Sequence, residues 1–256
     1  MNPEALRQLI SQLRTGQVSE EDAFQRLQQA HVADLGFAQV DLHRQQRCGF
    51  PEVIFCQGKT PEWVAGVVRR LQEAGQNCLA TRVNAEQSAH LAQCFPQAEQ
   101  DFLARTFWLP ASHEERPSTG RVLVFTAGTS DLPVAQEAVV TARALGVEVQ
   151  LLADVGVAGI HRLLRHRDLF PTADCIVVVA GMDGALPSVV GGLVDCPVIA
   201  VPTSVGYGAS FQGIAPLLTM LNACPANVVV VNIDSGFKGG FVAALIARRT
   251  RDQVTR

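Results

Sequence analysis

No excess of positive charge, no C-x-x-C pair and no apolar run near the roughly 20 residues of a membrane helix occur in this chain of 256 residues. Each absence removes a class of function. A formal net charge of −3 leaves no basic footprint for nucleic acid. The opening stretch MNPEALRQLISQLRTG lacks the apolar core of a signal peptide, and no membrane partner is expected. The cysteines at 48, 56, 78, 94, 175, 196 and 224 are odd in number and unpaired in spacing, which fits reduced thiols and a cytoplasmic location and argues against a closed zinc site. The histidines at 31, 43, 90, 113, 161 and 166 form no H-x-x-x-H pair or His/Cys cluster, so no protein-built metal site is expected. His161 and His166, with Arg162, Arg165 and Arg167, read as one solvated face of a surface helix.

What is present describes an ordinary globular protein, 48% hydrophobic and 18% charged, long enough for one large domain or two modest ones. Leu6, Leu9, Ile10 and Leu13 recur at helical spacing ahead of Gly16, and Ser19 with Asp22 resembles a capping box. PEVIF and NCLATRV read as short strands around the helix PEWVAGVVRRLQEAG, which starts on Pro61 and stops at Gly75. Residues 1–109 are thus an α+β domain. Residues 110–120, PASHEERPSTG, are polar with two prolines and read as a linker.

From 121 to 256 the pattern is regular. RVLVFTAG, VEVQLLAD, CIVVVAG, PVIAVPT and NVVVVNID are apolar, β-branched runs, each followed by a segment able to form a helix. Continuous apolar runs alternating with helices predict a doubly wound, five-stranded parallel α/β sheet, whose ligands bind outside the carboxyl ends of the strands. At those ends stand Gly128-Thr129-Ser130-Asp131, Asp154, Gly181-Met182-Asp183-Gly184, Thr203-Ser204 with Tyr207-Gly208, and Asp234.

Thr129, Ser130 and the free N–H groups of a helix start can cradle a phosphate, with Asp131 accepting from ribose hydroxyls. Equally, Ser130 or Asp131 can be a plain N-cap. The G-x-G-x-x-G fingerprint is missing. Asp183 is placed for proton transfer or is a solvated turn carboxylate. The loop PTSVGYGASFQGIAPL, with the only tyrosine, Tyr207, reads as a flexible binding loop. Arg47 and Lys59, in RCGFPEVIFCQGKTPE, can meet phosphate or carboxylate or serve structure alone.

These rim motifs resemble a known family. GTSDLPVAQEA, VVVAGMDGALPSVVGGLVDCPVIAVPTS and GIAPLLTMLNACPANVVVVNID resemble the aminoimidazole ribonucleotide carboxylase and mutase (PurE) superfamily. With RCGFPEVIFCQGKT included, the chain is most similar to the pyridinium-3,5-biscarboxylic acid mononucleotide synthases (LarB) of nickel-pincer cofactor biosynthesis. The resemblance implies a flavodoxin-like, PurE-like sheet and a homo-octamer. It also implies carboxylation of the pyridinium ring of nicotinic acid adenine dinucleotide with CO2 or bicarbonate, and cleavage of its phosphoanhydride to release AMP. No tightly bound cofactor is implied, although Mg2+ can travel with the phosphates and meet Asp131 or Asp154. The family's nucleophilic cysteine falls on Cys224, in MLNACP. Asp183 is the corresponding acidic residue for proton handling or hydrolysis, because GMDGALPS lacks the histidine of the purine enzymes' AHLPG turn. The N-terminal domain is expected to close over the substrate with Arg47 and Lys59 near its anionic groups. Alternatives are a purine carboxylase or mutase and a nucleotide-binding module without turnover.

Topology raises a difficulty. If 214–222 is the crossover helix after the fourth strand, it delivers Cys224 to the amino end of the sheet, opposite the Asp131/Asp183 rim. A helix C-terminus does not favour a thiolate. Supply of Cys224 by a neighbouring subunit, or a thiolate stabilised by the cationic ring, would reconcile the two.

Overall fold

The computed structural model describes residues 3–29, 32–111 and 120–254. The linker read at 110–120 lies mostly outside the described residues. The chain splits into two compact units.

The first unit opens with helices α1 (Pro3–Arg14) and α2 (Glu20–Gln29). Gly16 ends the first turn at φ 71, and Ser19 Oγ accepts the Asp22 N–H at 3.0 Å to start the second helix. Of the apolar set on α1 only Leu9 is buried; Leu6, Ile10 and Leu13 are exposed. A hairpin, β1 (Val32–Asp34) and β2 (Gln39–Asp41), leads through α3 (Arg44–Cys48) to β3 (Val53–Phe55), α4 (Pro61–Glu73), β4 (Cys78–Thr81), α5 (Ala85–Cys94), β5 (Glu99–Asp101) and β6 (Thr106–Leu109). The four later strands form a mixed sheet in the order β3-β4-β6-β5, parallel only at β3–β4. Thr60 caps α4 with Pro61 in the first turn, and Val64, Val68 and Leu71 face the core. Asn84 and Gln87 make a reciprocal capping box on α5. The fully buried Gln87 also donates to the carbonyls of Cys56 and Lys59, at 2.9 and 2.7 Å.

The second unit is the doubly wound sheet: β7 (Arg121–Thr126), α6 (Leu132–Ala144), β8 (Glu148–Leu152), α7 (His161–Leu164), β9 (Cys175–Ala180), α8 (Leu186–Gly191), β10 (Val198–Pro202), α9 (Ile214–Leu221), β11 (Val228–Val230) and α10 (Gly236–Val254). All four strand pairings are parallel and the order is β11-β10-β9-β7-β8. Every residue of β9 and β10 is buried, as continuous apolar runs require. The first two strands lie side by side and the third crosses to the other flank of β7. The order therefore reverses between β7 and β9, and a crevice opens at their carboxyl ends.

The basic run after β8 departs from the sequence reading. It is not one helix: α7 covers only His161–Leu164, and a 3-10 stretch follows over Arg167–Thr172. No Ser, Thr, Asp or Asn side chain caps the start, and Pro171 removes a donor where regular helix would continue. No helix among the described residues is long and apolar enough to cross a membrane.

Candidate active site

A cavity of about 820 Å³ occupies the reversal point of the second unit. Its wall comes from the turns after β7, β8, β9 and β10, with Arg162 from α7 and Ala215 from α9. The size suits a small organic ligand.

Asp131 holds these turns together. It is 3% exposed; Oδ2 accepts the Gly128 N–H at 2.9 Å and Oδ1 accepts the Thr203 hydroxyl at 2.7 Å. Burial pushes its carboxyl above the usual aspartate range. Hydrogen bonds from Thr203, Gly128 and Gly181 oppose that shift, and the charge of Asp234 adds to it. Its side chain caps no N–H of α6; the carboxylate instead ties the β7 turn to the residue after β10. On the next turn, Gly181 is required by close approach, since a Cβ there would stand 2.2 Å from the Val205 carbonyl oxygen and 2.6 Å from Thr203 Oγ1. The Met182 N–H bonds that same Val205 carbonyl at 3.0 Å.

Strained backbone gathers at this rim. Asp154, Met182, Phe211, Gln212 and Asp234 all have positive φ without being glycine, between 45° and 58°. Such residues cost of order 1–3 kcal/mol each and collect where surrounding structure holds a site in shape.

The cavity wall brings together Gly128, Ser130, Asp131, Gly181, Met182, Asp183 and Tyr207 of the residues singled out from sequence. Asp183 is exposed, with Oδ1 accepting the Ala185 N–H at 3.3 Å, and its other oxygen makes no described hydrogen bond. Thr129, Asp154, Gly184, Ser204, Gly208 and Asp234 stand beside the wall rather than in it. Asp234 Oδ1 accepts the Ser204 N–H at 2.8 Å, which joins the ends of β10 and β11. Gly184, at φ 67, packs on Pro216, 2.8 Å from where its Cβ would be.

Sequence reasoning missed Arg162. It was assigned to a solvated face, yet its side chain lines the cavity and its Nη1 meets Asp154 Oδ2 at 2.6 Å. Among the described residues it is the only cationic one in the wall. The available signal was distance along the chain: Arg162 follows the end of β8 closely enough to remain at the rim. Asp154 is paired with Arg162, and Asp131 is engaged by Thr203 and Gly128. Among the described residues no group of three His, Cys, Asp or Glu side chains is arranged for a metal.

Arg47 and Lys59 belong to the first unit. Arg47 is ion-paired with Asp41 and shares a smaller cavity of about 370 Å³ with Val32, Gln39, Asp41 and His43. Lys59 Nζ donates to the Phe55 carbonyl and lies over that ring, 5.8 Å from its centre.

The seven cysteines separate by burial. Cys56, Cys78, Cys175 and Cys196 are buried, whereas Cys48, Cys94 and Cys224 are exposed. Burial raises all four buried thiols, Cys56 to about 12 and Cys196 to about 11, so these pack as small hydrophobes. Cys224 lies between Leu221, the last residue of α9, and Val228, the first of β11. Val228 pairs with Val198, the first residue of β10. The thiol is therefore at the amino end of the sheet. A five-residue strand, roughly 16 Å at 3.3 Å per residue, separates that end from the cavity rim of its own chain.

Residues 32–111 match the LarB/PurE-like N-terminal domain, and residues 121–256 match AIR carboxylase. An uncharacterized protein of Methanocaldococcus jannaschii is 38% identical over 251 residues, which cover 95% of this chain and 97% of that protein. The chain belongs to the AIR carboxylase family, as a LarB-like member of the PurE superfamily. Its functional class is that of a carboxylase.

Proposed function

Starting from membership of this carboxylase family, we propose that the substrate is nicotinic acid adenine dinucleotide. The ring is carboxylated at position 5 by CO2 or bicarbonate, and hydrolysis of the phosphoanhydride releases AMP and pyridinium-3,5-biscarboxylic acid mononucleotide, the precursor of a nickel-pincer cofactor. One observation carries this choice over purine carboxylation. A LarB/PurE-like N-terminal domain is joined to a carboxylase domain whose β9 turn presents Asp183, not histidine, to the cavity.

The chemistry needs a nucleophile because a pyridinium ring is too electron-poor to attack CO2. A thiolate adding to the ring forms a C–S bond and sends an electron pair to the ring nitrogen. The neutral dihydropyridine then forms the new C–C bond from position 5. Loss of the proton at that carbon, followed by departure of the thiolate, restores aromaticity. Asp183 is the base we assign to that proton, and Arg162 is the partner for a substrate phosphate, exchanging Asp154 for it. Cys224 is the thiol. Because it stands at the opposite end of the sheet from its own rim, it serves the rim of a neighbouring copy in a homo-oligomer, an octamer in this reading. A reducing cytoplasm suits seven cysteines with no disulfide among them.

The test is incubation of the purified protein with nicotinic acid adenine dinucleotide and labelled bicarbonate. Labelled pyridinium dicarboxylate with AMP is the expected result, and Cys224→Ser should abolish it. Label transferred instead to aminoimidazole ribonucleotide, or tight nucleotide binding with no product, would contradict the proposal.

A further inference from the structure

The loop after β10 carries a polar group that the chemistry above leaves unused. Ser210 is 7% exposed and lies in the cavity wall. Its Oγ is buried and makes no hydrogen bond to any described residue. Leaving a buried hydroxyl unpaired costs about 1–3 kcal/mol, and native structures keep few such groups without a reason.

The surrounding backbone maintains this costly position. The Ser210 N–H bonds the Tyr207 carbonyl at 3.2 Å. Three consecutive left-handed residues follow, Phe211 at φ 45, Gln212 at 53 and Gly213 at 99, two of them without glycine's freedom. Across the loop, a Cβ on Gly206 would stand 2.4 Å from Ser210 Oγ. Gly206 is not in the left-handed region, so its lack of a side chain serves space, and the space is filled by the hydroxyl.

We propose that Ser210 is a ligand-binding residue whose hydroxyl donates a hydrogen bond to an anionic oxygen of the bound nucleotide, a role that rests on the dinucleotide reading of this cavity. The charge balance favours a donor. The substrate carries a diphosphate and a ring carboxylate, while among the described residues the wall supplies one cation, Arg162. Neutral donors must satisfy the remaining oxygens, and a hydrogen bond to a charged acceptor is the stronger kind.

Ser210→Ala and Gly206→Ala test this against the wild type in three measurements: turnover of nicotinic acid adenine dinucleotide, calorimetric binding of that dinucleotide and of AMP, and Tm without ligand. Both variants should bind the dinucleotide about tenfold or more weakly, with KM rising more than kcat falls. The Tm of Ser210→Ala should be unchanged or higher, because an unpaired buried hydroxyl has been removed. Weakened AMP binding as well would identify the adenylate phosphate as the acceptor, and loss confined to the dinucleotide would place the acceptor on the nicotinate half, in its phosphate or its ring carboxylate. Unchanged dinucleotide affinity in Ser210→Ala beside an active wild type overturns the role of Ser210 alone. So does a lowered Tm with unchanged affinity. A wild type that neither binds nor carboxylates the dinucleotide overturns the substrate reading, and the role of Ser210 with it.

Discussion

Asp131 illustrates how much a single residue type leaves open. Its position after β7 was compatible with a ribose contact or a helix cap; its side chain caps no N–H of α6, and its carboxylate pins Gly128 and Thr203. That role depends on a contact 72 positions along the chain, which local spacing does not encode. Its titration gives a check. Because burial raises its pKa above the ordinary 3.8, the folded chain keeps this proton to higher pH than the unfolded chain does. Its contribution to stability is complete below 3.8 and declines as pH rises through the folded-state value. Asp131→Asn, which mimics the protonated form, lacks this dependence. The urea midpoint of the wild type should therefore fall relative to that of Asp131→Asn as pH rises from about 3.8. A relative gain over the same range would mean that the hydrogen bonds outweigh burial. Arg162 was misread for a related reason: a basic run looks solvated until the fold of the preceding turn is known.

At the scale of elements, the sheet was legible because burial on both faces demands unbroken apolar runs, as β9 and β10 show. Strand position was not. NVVVVNID resembles the central strands, yet β11 is an edge strand of three residues, none of them buried, after which the chain turns away at Asp234. Edge and centre differ in the partners they meet, and a single strand's composition does not name them. Helix packing leaves a clearer mark in glycine. A Cβ on Gly240 of α10 would come within 2.2 Å of the Ala138 carbonyl oxygen of α6, and one on Gly236 within 2.1 Å of that of Val134. These glycines set the approach of the two helices. Gly240→Ala should cost about 1–3 kcal/mol by denaturant unfolding, the range for overpacking a tight contact. Gly192→Ala, whose new Cβ would meet nothing nearer than 3.6 Å, should cost little. Equal losses would show that the interhelix contact is not the cause.

For the molecule as a whole, the organisation into a smaller α+β unit and a doubly wound unit follows the change in hydrophobic pattern near 120. The hairpin β1–β2 and the strands β5 and β6 were not legible, being three or four residues long and too short to show a period. The separation of Cys224 from its own cavity was legible, since a parallel crossover returns the chain to the amino end of the sheet. In the proposed reaction that separation requires a site shared between copies, with Asp183 and the cavity from one copy and the thiol from another. Complementation between Cys224→Ser and Asp183→Asn tests it most directly. Each variant alone should fail to carboxylate nicotinic acid adenine dinucleotide. Co-expressed and purified as mixed oligomers, they should recover about a quarter of wild-type turnover, because a random mixture gives one site in four with both groups intact. Mixed oligomers as inactive as either variant alone would contradict a site shared between copies.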